Sequence, residues 1–230
     1  MALSLLASVF AGAARADAGL EDLLRNTMKA YGGEEALRKA PAVRHTGQVT
    51  SLMRAGATGS IVREFERPDK LRVVIRYGAD TETRVYDGKA GWREGRSVTG
   101  PPLEAMVLQA ARMALPLILL ERKDRLVDKG SSRYEGKEVR TLELPLGGGL
   151  TLTADIDPLS GRIVRSSGTG GKGMGGRPIE FITRYYDYKL VGGVLHPFRE
   201  GNYANGFVTG ETTLTNVEPL GSLPPATFSP

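Results

Sequence analysis

The segment from Ile179 to Val217 places the tightest limit on what this chain can fold into, because it holds three long β-patterned runs separated by two tight-turn signals. Ile179, Phe181, Thr183 and Tyr185 alternate with Glu180, Ile182, Arg184 and Tyr186, and a period of two is that of a strand. Gly192-Gly193 and Asn205-Gly206 interrupt the runs and supply the positive φ that two-residue hairpins require. Consecutive hairpins build antiparallel sheet and exclude a parallel, doubly wound fold here. A meander this long needs something to cover one face.

The same pattern recurs upstream. Strands are expected at Val43–Met53, Ser60–Arg67, Leu71–Tyr77, Glu82–Tyr86 and Ala90–Arg93, divided by the turn pairs Pro68-Asp69 and Asp87-Gly88. They resume at Leu126–Lys129, Glu138–Leu144, Leu150–Ile156 and Arg162–Arg165, with Asp157-Pro158-Leu159-Ser160-Gly161 as a turn. Leu71, Val73, Ile75 and Tyr77 share one face of their strand, and Arg72 and Arg76 the other, so one side is dry and one wet. The total of about eleven or twelve strands is too many to lie flat.

Two stretches change the period to that of a helix. Leu20, Leu23, Leu24, Met28 and Tyr31 recur at helical spacing after a potential cap at Asp17, and Gly32-Gly33 ends the pattern. One short turn follows over Glu34 to Lys39, closed by Pro41. Between the two runs of strands, Pro101-Pro102 introduces Leu103, Met106, Val107, Ala110, Met113, Ala114 and Leu117, with Pro116 kinking or dividing the helix. Such an amphipathic insertion is a natural cover for a sheet. Its stripe reads either as plain core or, being rich in methionine and small residues, as an adaptable wall for an acyl chain.

Composition narrows the chemistry. The 230 residues, 40% of them hydrophobic, are enough for one domain with a real core, expected over residues 17–230. The net charge of +5 comes from basic residues scattered among acids, which is a solvated sheet face and not a nucleic-acid groove, although it suits contact with anionic lipid headgroups. The count of zero cysteines excludes disulfides, thiolate catalysis, cysteine-ligated zinc and cysteine acylation. His45 and His196 have no metal-binding spacing and read as strand histidines. Gly168-Thr169-Gly170-Gly171-Lys172-Gly173 matches G-x-G-x-x-G but leads into Arg177-Pro178 and another strand instead of a helix, so it reads as a hairpin loop and not a dinucleotide or phosphate site. Asp155 and Asp157 lie close in sequence, yet Asp157-Pro158 is a turn initiator. There is no nucleophile elbow and no cysteine–histidine arrangement. The expectation is a protein without enzymatic activity, cofactor or metal.

Residues 1–16, MALSLLASVFAGAARA, carry an apolar run and an A-x-A signal at Ala14-Arg15-Ala16, as a secretory signal peptide does. That run, about twelve residues, is shorter than the roughly twenty that span a bilayer as a helix.

The order of YGGEEAL, ERPDKLRV, VYDGKAGW, a helical insertion, DIDPLSGRIVR and YYDYKLVGGVLHPF resembles the LolA-like family of periplasmic lipoprotein-sorting and lipid-carrier proteins. The resemblance implies a mostly β fold with some α: a strongly curved antiparallel sheet, an incomplete barrel, covered by amphipathic helices. It also implies a periplasmic carrier that shelters the acyl chains of a lipoprotein or lipid in an apolar cavity on the way to the outer membrane, with donor or acceptor proteins in either membrane as further partners. On that basis Leu103, Met106, Ala110, Met113 and Leu117 would form a lid, and Phe65, Leu71, Val73, Ile75 and Trp92 would line the cavity. The competing expectation is an envelope structural protein that uses the curved sheet to bind a partner protein.

Overall fold

The computed structural model describes residues 19–172 and 178–230. The expected signal peptide, the Asp17 cap and residues 173–177 of the glycine-rich stretch lie outside them.

Helix α1 covers residues 19–30 and is followed by α2 (Glu34–Lys39). Strands β1 (Ala42–Ser51), β2 (Ala57–Glu66), β3 (Lys70–Tyr77), β4 (Asp80–Tyr86), β5 (Gly91–Arg93) and β6 (Arg96–Val98) then form one meander. Helices α3 (Pro101–Met113) and α4 (Leu117–Glu121) follow, with Pro116 between them, so the proline divides the helix. The second meander comprises β7 (Val127–Tyr134), β8 (Lys137–Gly147), β9 (Leu150–Ile156), β10 (Ile163–Lys172), β11 (Pro178–Val191), β12 (Val194–Ala204) and β13 (Phe207–Leu220). Asn205 and Gly206, at φ 49° and 81°, turn β12 into β13 as the hairpin chemistry requires.

Antiparallel pairing of β13 with β1 joins the meanders into one 13-stranded sheet, in the order β6-β5-β4-β3-β2-β1-β13-β12-β11-β10-β9-β8-β7. Its edge strands, β6 and β7, do not pair with each other, so the barrel stays open. The packing reveals the curvature. Strands β3 and β9 are seven strand spacings apart in this order, which in a flat sheet would be about 34 Å. Yet Val73 of β3 and Leu152 of β9 belong to one buried cluster. The sheet therefore curls around α3, whose residues touch β3, β4 and β5 on one side and β9 and β10 on the other.

Strand β10 corrects the expected loop. Gly168 to Lys172 lie within it, paired with β11 and, through Gly168 and Thr169, with β9. The glycines serve packing here: a Cβ on Gly168 would stand 2.5 Å from Leu108 Cδ2 of α3, so the missing side chain is what lets the helix settle on the sheet.

A second cluster joins Leu24 and Met28 of α1 to Leu117, Leu119, Leu142 and Ile156. On the opposite face of the sheet, Ala42, Val85, Leu223 and Phe228 pack beside Trp92.

Candidate functional site

Beneath the C-terminal end of α3 the concave face is not fully packed. A cavity of about 130 Å³ remains. Strand alternation aims Val43 and His45 of β1, Arg63 and Phe65 of β2, Thr183 and Tyr185 of β11, and Glu200 and Asn202 of β12 into it. Helix α3 contributes Gln109, Arg112 and Met113 from above. Leu37, Leu115, Val194 and Leu195 make its remaining walls largely apolar.

The polar side of the cavity is built around three arginines and one carboxylate, with Arg67 donating to the Ala114 carbonyl at 3.3 Å. Arg63 donates to both oxygens of Glu200, at 2.7 and 2.8 Å, and the two side chains are 6% and 8% exposed. Burial alone would lower the Arg63 pKa, but the charge and hydrogen bonds of Glu200 override it and hold it raised. Arg112 has no such partner. Its Nη1 donates to the neutral Thr183 Oγ1 at 3.0 Å, Thr183 donates on to Asn202 at 3.1 Å, and no carboxylate is paired with Arg112 among the described residues. Burial accordingly pulls the Arg112 pKa below its usual value.

His45 and His196 meet edge-on in the same wall, ring centroids 5.7 Å apart. Neither ring nitrogen of His45 has a hydrogen-bond partner among the described residues. Both imidazoles are held neutral: burial first, then Arg63 and His196, lowers the His45 pKa well below its usual value, and burial lowers that of His196 to about 4. The unfolded chain then binds more protons than the folded one below about pH 6.5, and stability falls as pH drops from there towards 4. Each unit of depression corresponds to about 1.4 kcal/mol. Asp87, Asp128 and Asp157, whose pKa values are lowered, lose their contribution only in the ordinary carboxylate range and below. Between about pH 5 and 6.5 the histidines dominate. Urea unfolding across that window is expected to show a loss of stability that a His45→Gln, His196→Gln protein no longer shows. An unchanged loss in the double variant would contradict this account.

The ten residues proposed from sequence divide into three groups. Phe65, Leu71, Val73, Ile75, Met106 and Ala110 form one buried cluster, with Leu103 and Met113 packed against it. Only Phe65 and Met113 of these reach the cavity itself. Leu117 belongs to the cluster under α1, since the division at Pro116 redirects the chain. Trp92 lies across the sheet: it alternates with Gly91, whose missing side chain leaves room for Leu103 on the concave side, so the indole packs on the other face with Val85 and Phe228.

Sequence reasoning missed the polar half of the site. Arg63, Arg112 and Glu200 come from elements far apart in the chain, and no local spacing connects them. The one available signal was Arg112, which interrupts an otherwise apolar helix end beside Met113. Asp155 and Asp157 form no pair: Asp155 binds Arg165 and Thr141, and Asp157 caps its own turn through Leu159 and Ser160. No cluster able to hold a metal ion occurs among the described residues, and no described helix is long and apolar enough to cross a membrane.

An open, curled antiparallel sheet whose concavity is crossed by a helix defines a fold class, and solved structures share it. A domain from Vibrio parahaemolyticus named for outer membrane lipoprotein sorting superposes with a TM-score of 0.54 at 13% identity, covering 93% of this chain and 97% of its own. A LolA superfamily protein from Nitrosomonas europaea gives a TM-score of 0.54 at 13% identity, over 86% of this chain and 97% of that one. A DUF1329 family protein from Desulfovibrio piger gives 0.53 at 12%, over 93% and 96%. The chain has the LolA-like fold. No protein-family model matches the sequence, and no curated protein matches it either.

Proposed function

We propose that residues 17–230 form one domain that acts as a non-enzymatic carrier in the periplasm, sheltering the acyl chains of a lipid or lipoprotein between α3 and the concave face of the sheet. The observation that carries this reading is the continuous apolar layer under α3, contributed by strands of both meanders, opening at one end into a cavity. The shared fold with a protein named for lipoprotein sorting supports it.

The physical logic is transfer free energy. Each methylene withdrawn from water is worth about 0.8 kcal/mol, so a twelve-carbon chain gains about 9 kcal/mol on entering an apolar groove. The cavity of about 130 Å³ is below the 300–1,000 Å³ typical of ligand pockets, which on this proposal corresponds to the carrier's closed state. Uptake requires α3 to draw back from β9 and β10, and the chain then replaces the contacts the helix gives up. Arg112, bonded to Thr183 of β11, ties the end of the helix to the wall.

Vesicles containing a single-chain lipid with a fluorescent acyl tail test this directly. The mature protein is expected to withdraw the probe in proportion to protein concentration, and to pass it to acceptor vesicles faster than it crosses water unaided. Absence of withdrawal at every concentration, from a protein shown to be folded, contradicts the proposal and favours a partner-binding role.

A further inference from the structure

The cavity under α3 is charged, and nothing in the carrier reading explains why. A groove for hydrocarbon alone has no use for a buried cation. Arg63 and Glu200 cancel each other through a bidentate bond. Arg67 and Arg112 then leave the cavity with positive charge that no described carboxylate pairs, Arg67 donating to the Ala114 carbonyl at 3.3 Å and Arg112 to Thr183. A guanidinium does not deprotonate in a protein and is costly to bury alone. His45, only 5% exposed, brings two ring nitrogens without partners to the same wall. These are two independent signs of a missing polar group, and its charge is negative.

We propose that this cavity is the head-group site of the cargo, which is a single-chain amphiphile headed by a compact oxyanion, a carboxylate or a phosphate monoester. The inference rests on the carrier reading and gives it a substrate class. An oxyanion placed here accepts a charge-assisted hydrogen bond from Arg112 and a second one from the protonated nitrogen of the neutral His45 ring. Its tail has a continuous route, because Val43, Phe65, Met113 and Leu115 line the cavity and also belong to, or pack against, the apolar layer beneath α3. Arg112 stands on the helix that must move, and its hydrogen bond to Thr183 reaches the wall that stays. A bound head therefore joins helix and wall.

Calorimetric titration of the delipidated mature protein with dodecanoate, dodecyl phosphate and dodecan-1-ol isolates the head, with acetate and inorganic phosphate as tail-free controls. Both anionic amphiphiles are expected to bind at least about tenfold more tightly than the alcohol, the scale of one good charge-assisted hydrogen bond. The tail-free anions are expected not to bind at the same concentrations. Arg112→Gln should bring the anions to the affinity of the alcohol and leave the alcohol unchanged, while Arg112→Lys keeps most of the preference. Equal binding of alcohol and anions by the unaltered protein overturns the head-group site and leaves the carrier standing. Inorganic phosphate binding as tightly as dodecyl phosphate also overturns it, in favour of a free-anion site. If no amphiphile binds, the alcohol included, the carrier reading fails and this inference fails with it. Should Arg112→Gln not fold, the comparison of anions with alcohol on the unaltered protein decides the matter.

Discussion

Replacing Glu200 by leucine is expected to lower the free energy of unfolding by about 3–5 kcal/mol, among the largest losses available from a single position. Glu200 and Arg63 are both buried, and Glu200 is the only carboxylate among the described residues of the cavity wall, where the guanidiniums of Arg63, Arg67 and Arg112 already stand. Its removal leaves Arg63 and Arg112 facing each other without compensation in a poorly hydrated space. The loss therefore reflects the abandoned charges more than the value of the pair. Replacing both partners, as Arg63→Met with Glu200→Leu, returns the cavity to the net charge of the natural protein and is expected to restore stability to within about 1 kcal/mol. Urea denaturation followed by circular dichroism of the three proteins checks this. A double variant as unstable as the single one would mean that Arg63 and Glu200 hold the sheet by geometry and not by mutual neutralisation.

Gly168→Val is expected to unseat α3 from the sheet by overpacking. A Cβ there would meet Leu108 Cδ2 at 2.5 Å and the Thr151 carbonyl oxygen at 3.1 Å. Leu108 is fully buried and cannot swing into solvent, so α3 must lift or the strand must bend. Overpacking of this kind costs about 1–3 kcal/mol, and the displaced helix should take up acyl probes faster than the natural protein does. Leu108→Ala alone leaves a void and costs about 2–5 kcal/mol. The two changes are complementary in volume, so the Gly168→Val, Leu108→Ala protein is expected to be more stable than the sum of the single effects implies. Simple additivity would show that the two positions do not meet, and that the glycines of β10 serve some end other than seating the helix.

Much of the fold was legible because it is written in local signals. The hairpin pairs Gly192-Gly193 and Asn205-Gly206, the two helical stripes and Pro116 as divider each act within a few residues, and each does what its chemistry dictates. The glycine-rich stretch of β10 misled for the opposite reason. Gly168 resembles a loop residue in sequence, but its role is set by Leu108 in another element. Trp92 misled because its three-residue strand is too short to show which face alternation puts outward. The polar half of the site was not legible at all. Arg63 and Glu200 are 137 residues apart, as their hydrogen bond records, and pairing across a curled sheet alone brings them together.

On the proposed function, the space beneath α3 holds an acyl chain in the cell. Native mass spectrometry of the protein as purified from cells, without any exposure to detergent, tests this. The expected spectrum holds a population heavier than the polypeptide by the mass of an acylated molecule, released as a carboxylate- or phosphate-headed species on denaturation. Repeated recovery of the bare polypeptide mass, from protein that also fails to take up acyl probes, would contradict it.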